Sequence, residues 1–76
     1  MFNYNISPKV DNKAFKTVCD KIERNLVAYS KEPPLVDVDG SILQIYNTKD
    51  GKIKVNNDYL VDAVYIESTV DLTNII

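Results

Sequence analysis

An α+β fold, with one amphipathic helix packed on one face of a small, mainly antiparallel sheet in the order β-α-β-β-β, follows from three features of the sequence. Apolar residues recur at helical spacing between Asn12 and Ser30. They alternate with polar ones near the N-terminus and again from Leu35 onward, and two Asp-Gly pairs punctuate that second half. The 76 residues form a single domain, residues 1–76. A chain this short buries only a little over ~60% of the surface its unfolded form exposes, so its stability is expected to be modest.

Phe2, Tyr4 and Ile6 alternate with Asn3, Asn5 and Ser7, the period of a half-buried strand, and Pro8 ends it. Such an N-terminal strand must pair with something distant, and the C-terminal strand is the expected partner. A helix is predicted over Asn12–Ser30, because Phe15, Val18, Cys19, Ile22, Leu26 and Tyr29 fall within an arc of about 100°. Asp11 suits the N-cap, and Val10 before it can staple onto Phe15. Asp20 and Arg24 make a favourable i,i+4 pair on the wet face. Glu32-Pro33-Pro34 is a strong stop, since proline cannot donate a hydrogen bond and pushes its predecessor out of the helical region.

From Leu35 the pattern is of strands and turns. A two-residue loop at Asp39-Gly40 would set Val38 against Ser41 and Val36 against Leu43. Val36, Val38, Leu43 and Ile45 then form the apolar, helix-facing surface, and Leu35, Asp37, Ile42, Gln44 and Tyr46 form the outer one. To keep that face whole, the second turn needs a three-residue loop, Lys49-Asp50-Gly51, which pairs Ile45 with Val55. Residues 59–63 fit either a strand or a short helical turn capped by Asn57. Beyond them Val64, Ile66, Val70 and Leu72 share one side, with Tyr65, Glu67, Thr69 and Asp71 on the other.

The composition, 45% hydrophobic and 26% charged, is that of an ordinary globular domain. No apolar run approaches the ~20 residues of a membrane span, and the N-terminus lacks the features of a signal peptide, so a soluble cytoplasmic protein without membrane attachment is expected. A single cysteine permits no internal disulfide. Residues 1–32 carry six basic and four acidic groups (+2), and residues 33–76 carry three and seven (−4). The net charge of −2 is too mild to indicate nucleic acid as the default partner.

The segment DVDGSILQIYNTKDGK resembles a calcium loop in its spacing of acids. With Gly40 at the loop's glycine position, however, Leu35 and Tyr46 stand where the first ligand and the bidentate glutamate belong. Placing Gly51 there puts Tyr46 and Asn57 at the same two places, so no metal is expected. The sequence has no histidine, and its two glycines exclude a phosphate-cradling loop, so neither a cofactor nor catalysis is expected. Cys19 falls on the apolar edge of the helix with no base to activate it. Lys9, Lys13, Lys16, Lys21, Arg24 and Lys31 gather around the helix and could hold phosphates, although Asp11, Asp20 and Glu23 interrupt them.

The less ordinary feature is the expected outer face, where Leu35, Ile42, Tyr46 and Tyr65 would form an exposed apolar patch, with Val27 a second candidate on the polar side of the helix. This points to a small non-enzymatic interaction module that binds another protein or a second copy of itself. A regulator or inhibitor carried by a phage or other mobile element would suit such a chain. The alternatives are a structural homodimer and a nucleic-acid accessory protein using the lysine-bearing helix.

Overall fold

A computed structural model describes residues 1–76. The strands are β1 (Phe2–Ser7), β2 (Ser30–Lys31), β3 (Leu35–Val36), β4 (Ile42–Thr48), β5 (Gly51–Asp58) and β6 (Ala63–Ser68), and the one helix, α1 (Asn12–Asn25), follows β1. They form one antiparallel sheet in the order β1-β6-β5-β4-β2, with β3 also paired to β4. The expected helix-on-sheet arrangement is present, elaborated by two short edge strands. The N-terminal strand pairs with the last one, Tyr4 lying opposite Ile66.

The helix begins as expected. Asp11 is the N-cap, its Oδ1 accepting from the N–H groups of Lys13 at 2.9 Å and Ala14 at 3.0 Å. Phe15, Val18, Cys19 and Ile22 are the buried stripe. Asn57, fully buried on β5, ties this end to the sheet: its Oδ1 accepts from the Asp11 N–H at 3.1 Å and its Nδ2 donates to Asn12 Oδ1 at 2.8 Å. The helix ends at Asn25, short of the expected Ser30. Its 14 residues span about 21 Å, close to the length of the strands beneath. Leu26 then turns extended (φ −83°, ψ 131°), and the chain crosses to pair Ser30 and Lys31 with β4. Tyr29 therefore meets the sheet from a crossover rather than a helix, its ring standing edge-on to Tyr46 with centroids 5.7 Å apart. Arg24 Nε donates to the Asp20 backbone oxygen, not to its carboxylate.

The two Asp-Gly turns exchange the expected roles. In the first, Leu35 faces Leu43 and Val36 faces Ile42, and Asp37 and Ser41 close a three-residue loop with Gly40 at φ +92°. In the second, Thr48 pairs directly with Gly51 across the two-residue loop Lys49–Asp50. The Thr48 hydroxyl clamps this turn, accepting from the N–H groups of Asp50 and Gly51. Both registers thus differ from expectation by one residue, and a one-residue slip exchanges the faces of a strand. On β4 it is Ile42, Gln44 and Tyr46 that point to the helix, aligned with Asn57, Val55 and Ile53. Val36 and Val38, expected in the core, are exposed.

Partners supplied from distant segments reverse that face. Gln44 Nε2 donates to the Glu32 carbonyl at 2.6 Å, and the Tyr46 hydroxyl donates to Glu23 Oε2 at 2.5 Å. With their polar ends satisfied, burying these side chains carries no desolvation penalty large enough to expel them. Ile53, Val55, Val64, Ile66 and Leu72 complete the core, as the alternation in the second half of the chain indicates. Residues 59–62 form a turn capped by Asp58, whose Oδ1 accepts from the N–H groups of Leu60 and Val61, and Asn57 takes no part in it.

Candidate functional site

The residues singled out from the sequence do not form one surface. Tyr46 is 0% exposed and belongs to the core, and Ile42 is half-buried against it, so neither stands on an outer face. Tyr65 is half-buried on the outer side of β6, its hydroxyl donating to Asp58 Oδ2 at 2.9 Å. Burial, then that carboxylate, pushes its pKa up to about 12. Val27 is fully exposed just past the helix end, and Leu35 is 59% exposed on β3.

Leu35 belongs to a different patch, at the end of the sheet where the β3–β4 and β5–β6 loops meet. Val36 and Val38 from the first loop region and Tyr59, Leu60 and Val61 from the second are all exposed, Leu60 to 88%. The loops are joined: the Tyr59 N–H donates to Ser41 Oγ at 2.9 Å, and the Tyr59 ring lies against Gly40. Between them a concavity of about 450 Å³ is bordered by Leu35, Val36, Ile42 and Leu60, with Asp37, Asp39 and Asp58 around it.

Backbone hydrogen bonds hold these carboxylates in place. Asp37 Oδ1 accepts from the Val38 N–H, Asp39 Oδ1 from the Ser41 N–H, and Asp62 Oδ1 from the Val10 N–H. The Ser41 bonds draw the Asp39 pKa below its ordinary value. None of these aspartates meets a cation, since the one ion pair in the protein joins Lys31 to Glu23 at 3.0 Å. This end of the sheet therefore combines exposed apolar side chains with unpaired aspartates on loops held by their own hydrogen bonds. Nowhere do three Asp, Glu or Cys side chains converge as metal ligands would. Cys19 is buried, and burial pushes its thiol pKa up.

Val36, Val38, Tyr59, Leu60 and Val61 were not singled out as surface residues by the pattern. Alternation places Val36 and Val38 inside, and the run Tyr59-Leu60-Val61 fits a buried strand equally well. The readable signal was the position of that run, directly after the turn-forming Asn56-Asn57-Asp58.

A second concavity, about 660 Å³, lies along the free edge of β1 beside α1, and shares no lining residue with the first. No family model, curated protein or solved structure matches this chain.

Proposed function

We propose that this chain is a small protein-interaction module that acts by docking the anionic-rimmed apolar patch of its two joined loops onto a partner protein. The observation that carries this reading is the exposure of Leu35, Val36, Val38, Tyr59, Leu60 and Val61 together at one end of the sheet, on loops fixed by their own hydrogen bonds. Preformed loops bind without a large ordering cost. Burying what Val36, Val38, Leu60 and Val61 still expose would contribute roughly 5–10 kcal/mol. That is of the same order as the ~4–15 kcal/mol lost on association, so affinity depends on what meets the carboxylates. The complementary partner carries an apolar knob or pocket flanked by lysine or arginine.

Charge also favours a foreign partner over a second copy. Self-association through this end would bring Asp37, Asp39, Asp58 and Asp62 of two copies together, and like charges across an interface are repulsive.

The test is affinity capture from the native host with three baits: wild type, Val38→Ser with Leu60→Ser, and Val27→Ser as a control of equal exposure elsewhere. A partner held by wild type and Val27→Ser but lost from the double variant supports the reading. Equal retention by all three baits removes this patch as the binding surface. Light scattering after size exclusion is expected to give a monomer at every concentration. A dimer dispersed by the double variant would establish the homodimer instead.

A further inference from the structure

The two edges of the sheet differ in how they meet solvent. At one, β2 and β3 are two residues each, carry Lys31 and are interrupted by Pro33 and Pro34. Short strands, lysine and proline are how proteins keep an edge from accepting another strand. The other edge is β1, whose six residues FNYNIS carry no charge and no proline. Its register with β6 is regular from Phe2 to Asn5, with one irregularity before Ser7. In an antiparallel pair alternate residues turn their N–H and C=O groups away from the partner strand, so β1 offers such groups to the outside.

The groove of about 660 Å³ runs along this edge. Four consecutive residues, Asn3 to Ile6, line it, so the strand's edge and not only its inner face forms the wall. Ile6, Ala14, Val18 and Ile76 give it an apolar floor, and Lys13 and Lys21 from α1 stand along it. Neither lysine is in an ion pair. The carboxylates nearby are committed elsewhere: Asp11 Oδ1 caps the helix, and Asp71 Oδ1 accepts from the Tyr4 hydroxyl at 3.2 Å and from Thr73. Lys13 and Lys21 are eight residues apart on the helix, about 12 Å. Side chains four residues apart on one face of a strand are separated by about 13 Å.

We propose that β1 accepts an extended segment of a partner protein as a seventh strand, and that the groove selects a segment reading acidic-x-apolar-x-acidic on its helix-facing side. The carboxylates meet Lys13 and Lys21, and the apolar side chain between them settles over Ala14 and Val18. Charge decides against a second copy of this chain: pairing β1 with β1 across a two-fold axis would set Lys13 and Lys21 of both copies along one seam. The chain's own acidic, alternating stretch, Leu35–Asp39, is already held by β4 and its turn. This surface is separate from the loop-end patch, so either stands without the other.

The probe is a fluorescein-labelled ten-residue peptide with aspartates four positions apart, an isoleucine midway and threonine elsewhere, and its counterpart with both aspartates replaced by lysine. Fluorescence anisotropy is expected to show binding of the acidic peptide and at least about fivefold weaker binding of the basic one, with a similar loss for Lys13→Glu combined with Lys21→Glu. Amide exchange by NMR is expected to slow at β1 when the peptide binds. Both lysines are exposed helix residues, so the double variant should keep its fold, which the unchanged spectrum of the β5 and β6 amides verifies. Binding of the acidic peptide that is indifferent to the lysine variants would overturn the proposal, as would protection elsewhere than β1 or absence of binding at about 1 mM. Concentration-dependent protection of β1 without peptide would establish self-pairing instead. Dodecanoate filling the groove and excluding the peptide without protecting β1 would make it a site for anionic amphiphiles.

Discussion

Replacing Tyr46 by phenylalanine tests the reversed face of β4, because it removes one oxygen that the structure uses and the sequence pattern places in solvent. The Tyr46 side chain is fully buried, and its hydroxyl donates to a carboxylate, Glu23 Oε2, that also pairs with Lys31 at 3.0 Å. A hydrogen bond to a charged partner contributes about 1.5–3 kcal/mol. Glu23 keeps 27% of its side-chain exposure and retains Lys31, so water can replace the lost donor and the lower figure applies, ~1.5 kcal/mol. With 76 residues the unfolding entropy is about 0.16 kcal/mol/K, and the Tm of Tyr46→Phe should fall by about 9 °C near neutral pH.

The pH dependence gives a second readout. The Tyr46 hydroxyl, ahead of Lys31, lowers the Glu23 pKa from 4.5. The stability it contributes is therefore present above about pH 4.5 and lost as pH falls through the folded value. Burial, then Glu23, raises the Tyr46 pKa above 10.0, so its contribution is present below that and declines as pH rises further. The difference between wild type and Tyr46→Phe should form a plateau between these limits and narrow at both ends. Lys31 titrates in both proteins, so its own effect largely cancels. Thermal unfolding followed by circular dichroism from pH 3 to 11 measures this. A difference under about 3 °C at pH 7 would return Tyr46 to the surface, where substitutions stay within ~0.5 kcal/mol. A larger difference that did not change from pH 3 to 7 would show that the acceptor is not the ionised Glu23.

Two further substitutions probe the turn geometry and the helix anchor. Gly51 and Gly40 both have positive φ, +146° and +92°, but a Cβ at Gly51 would clash with Thr69 Oγ1, whereas one at Gly40 would meet the Tyr59 ring no closer than 3.4 Å. Gly51→Ala should therefore cost about 3 kcal/mol in urea unfolding and Gly40→Ala about 1 kcal/mol; equal costs would mean that the Thr69 contact does not matter. Asn57→Ala leaves the Asp11 N–H and Asn12 Oδ1 without their buried partner, and should cost about 2–3 kcal/mol. A smaller loss, under ~0.5 kcal/mol, would show that the cap holds the helix N-terminus without the sheet.

Much of the fold was legible because it depends on short-range pattern. The N-cap at Asp11, the stripe Phe15, Val18, Cys19 and Ile22, the pairing of the first strand with the last, and the inner residues of β5 and β6 all follow from spacing. The errors arose where a distant segment decides. Leu26 and Tyr29 continue the helical period after the helix has ended, since both still face the core from a crossover. Gln44 and Tyr46 look like solvent-facing residues until Glu32 and Glu23, 12 and 23 residues away, supply their partners. Alternation fixed a choice between two faces, and those two polar side chains tipped it the wrong way.

The same reversal takes Ile42 and Tyr46 off the outer face, while Leu35 stays exposed. Period-two alternation says that Val36 and Val38 share a face, but it does not say that the sheet extends far enough to cover them. Here β3 stops at Val36, and Val38 lies in the turn beyond. These valines, with Leu60, add almost nothing to the core, so the protein's own stability does not account for apolar side chains at these positions. Their exposure instead carries a liability, because apolar side chains gathered at one surface promote association. The aspartates beside them would repel other copies while leaving the apolar side chains open, which is the combination that the proposed docking onto a cationic-rimmed partner requires.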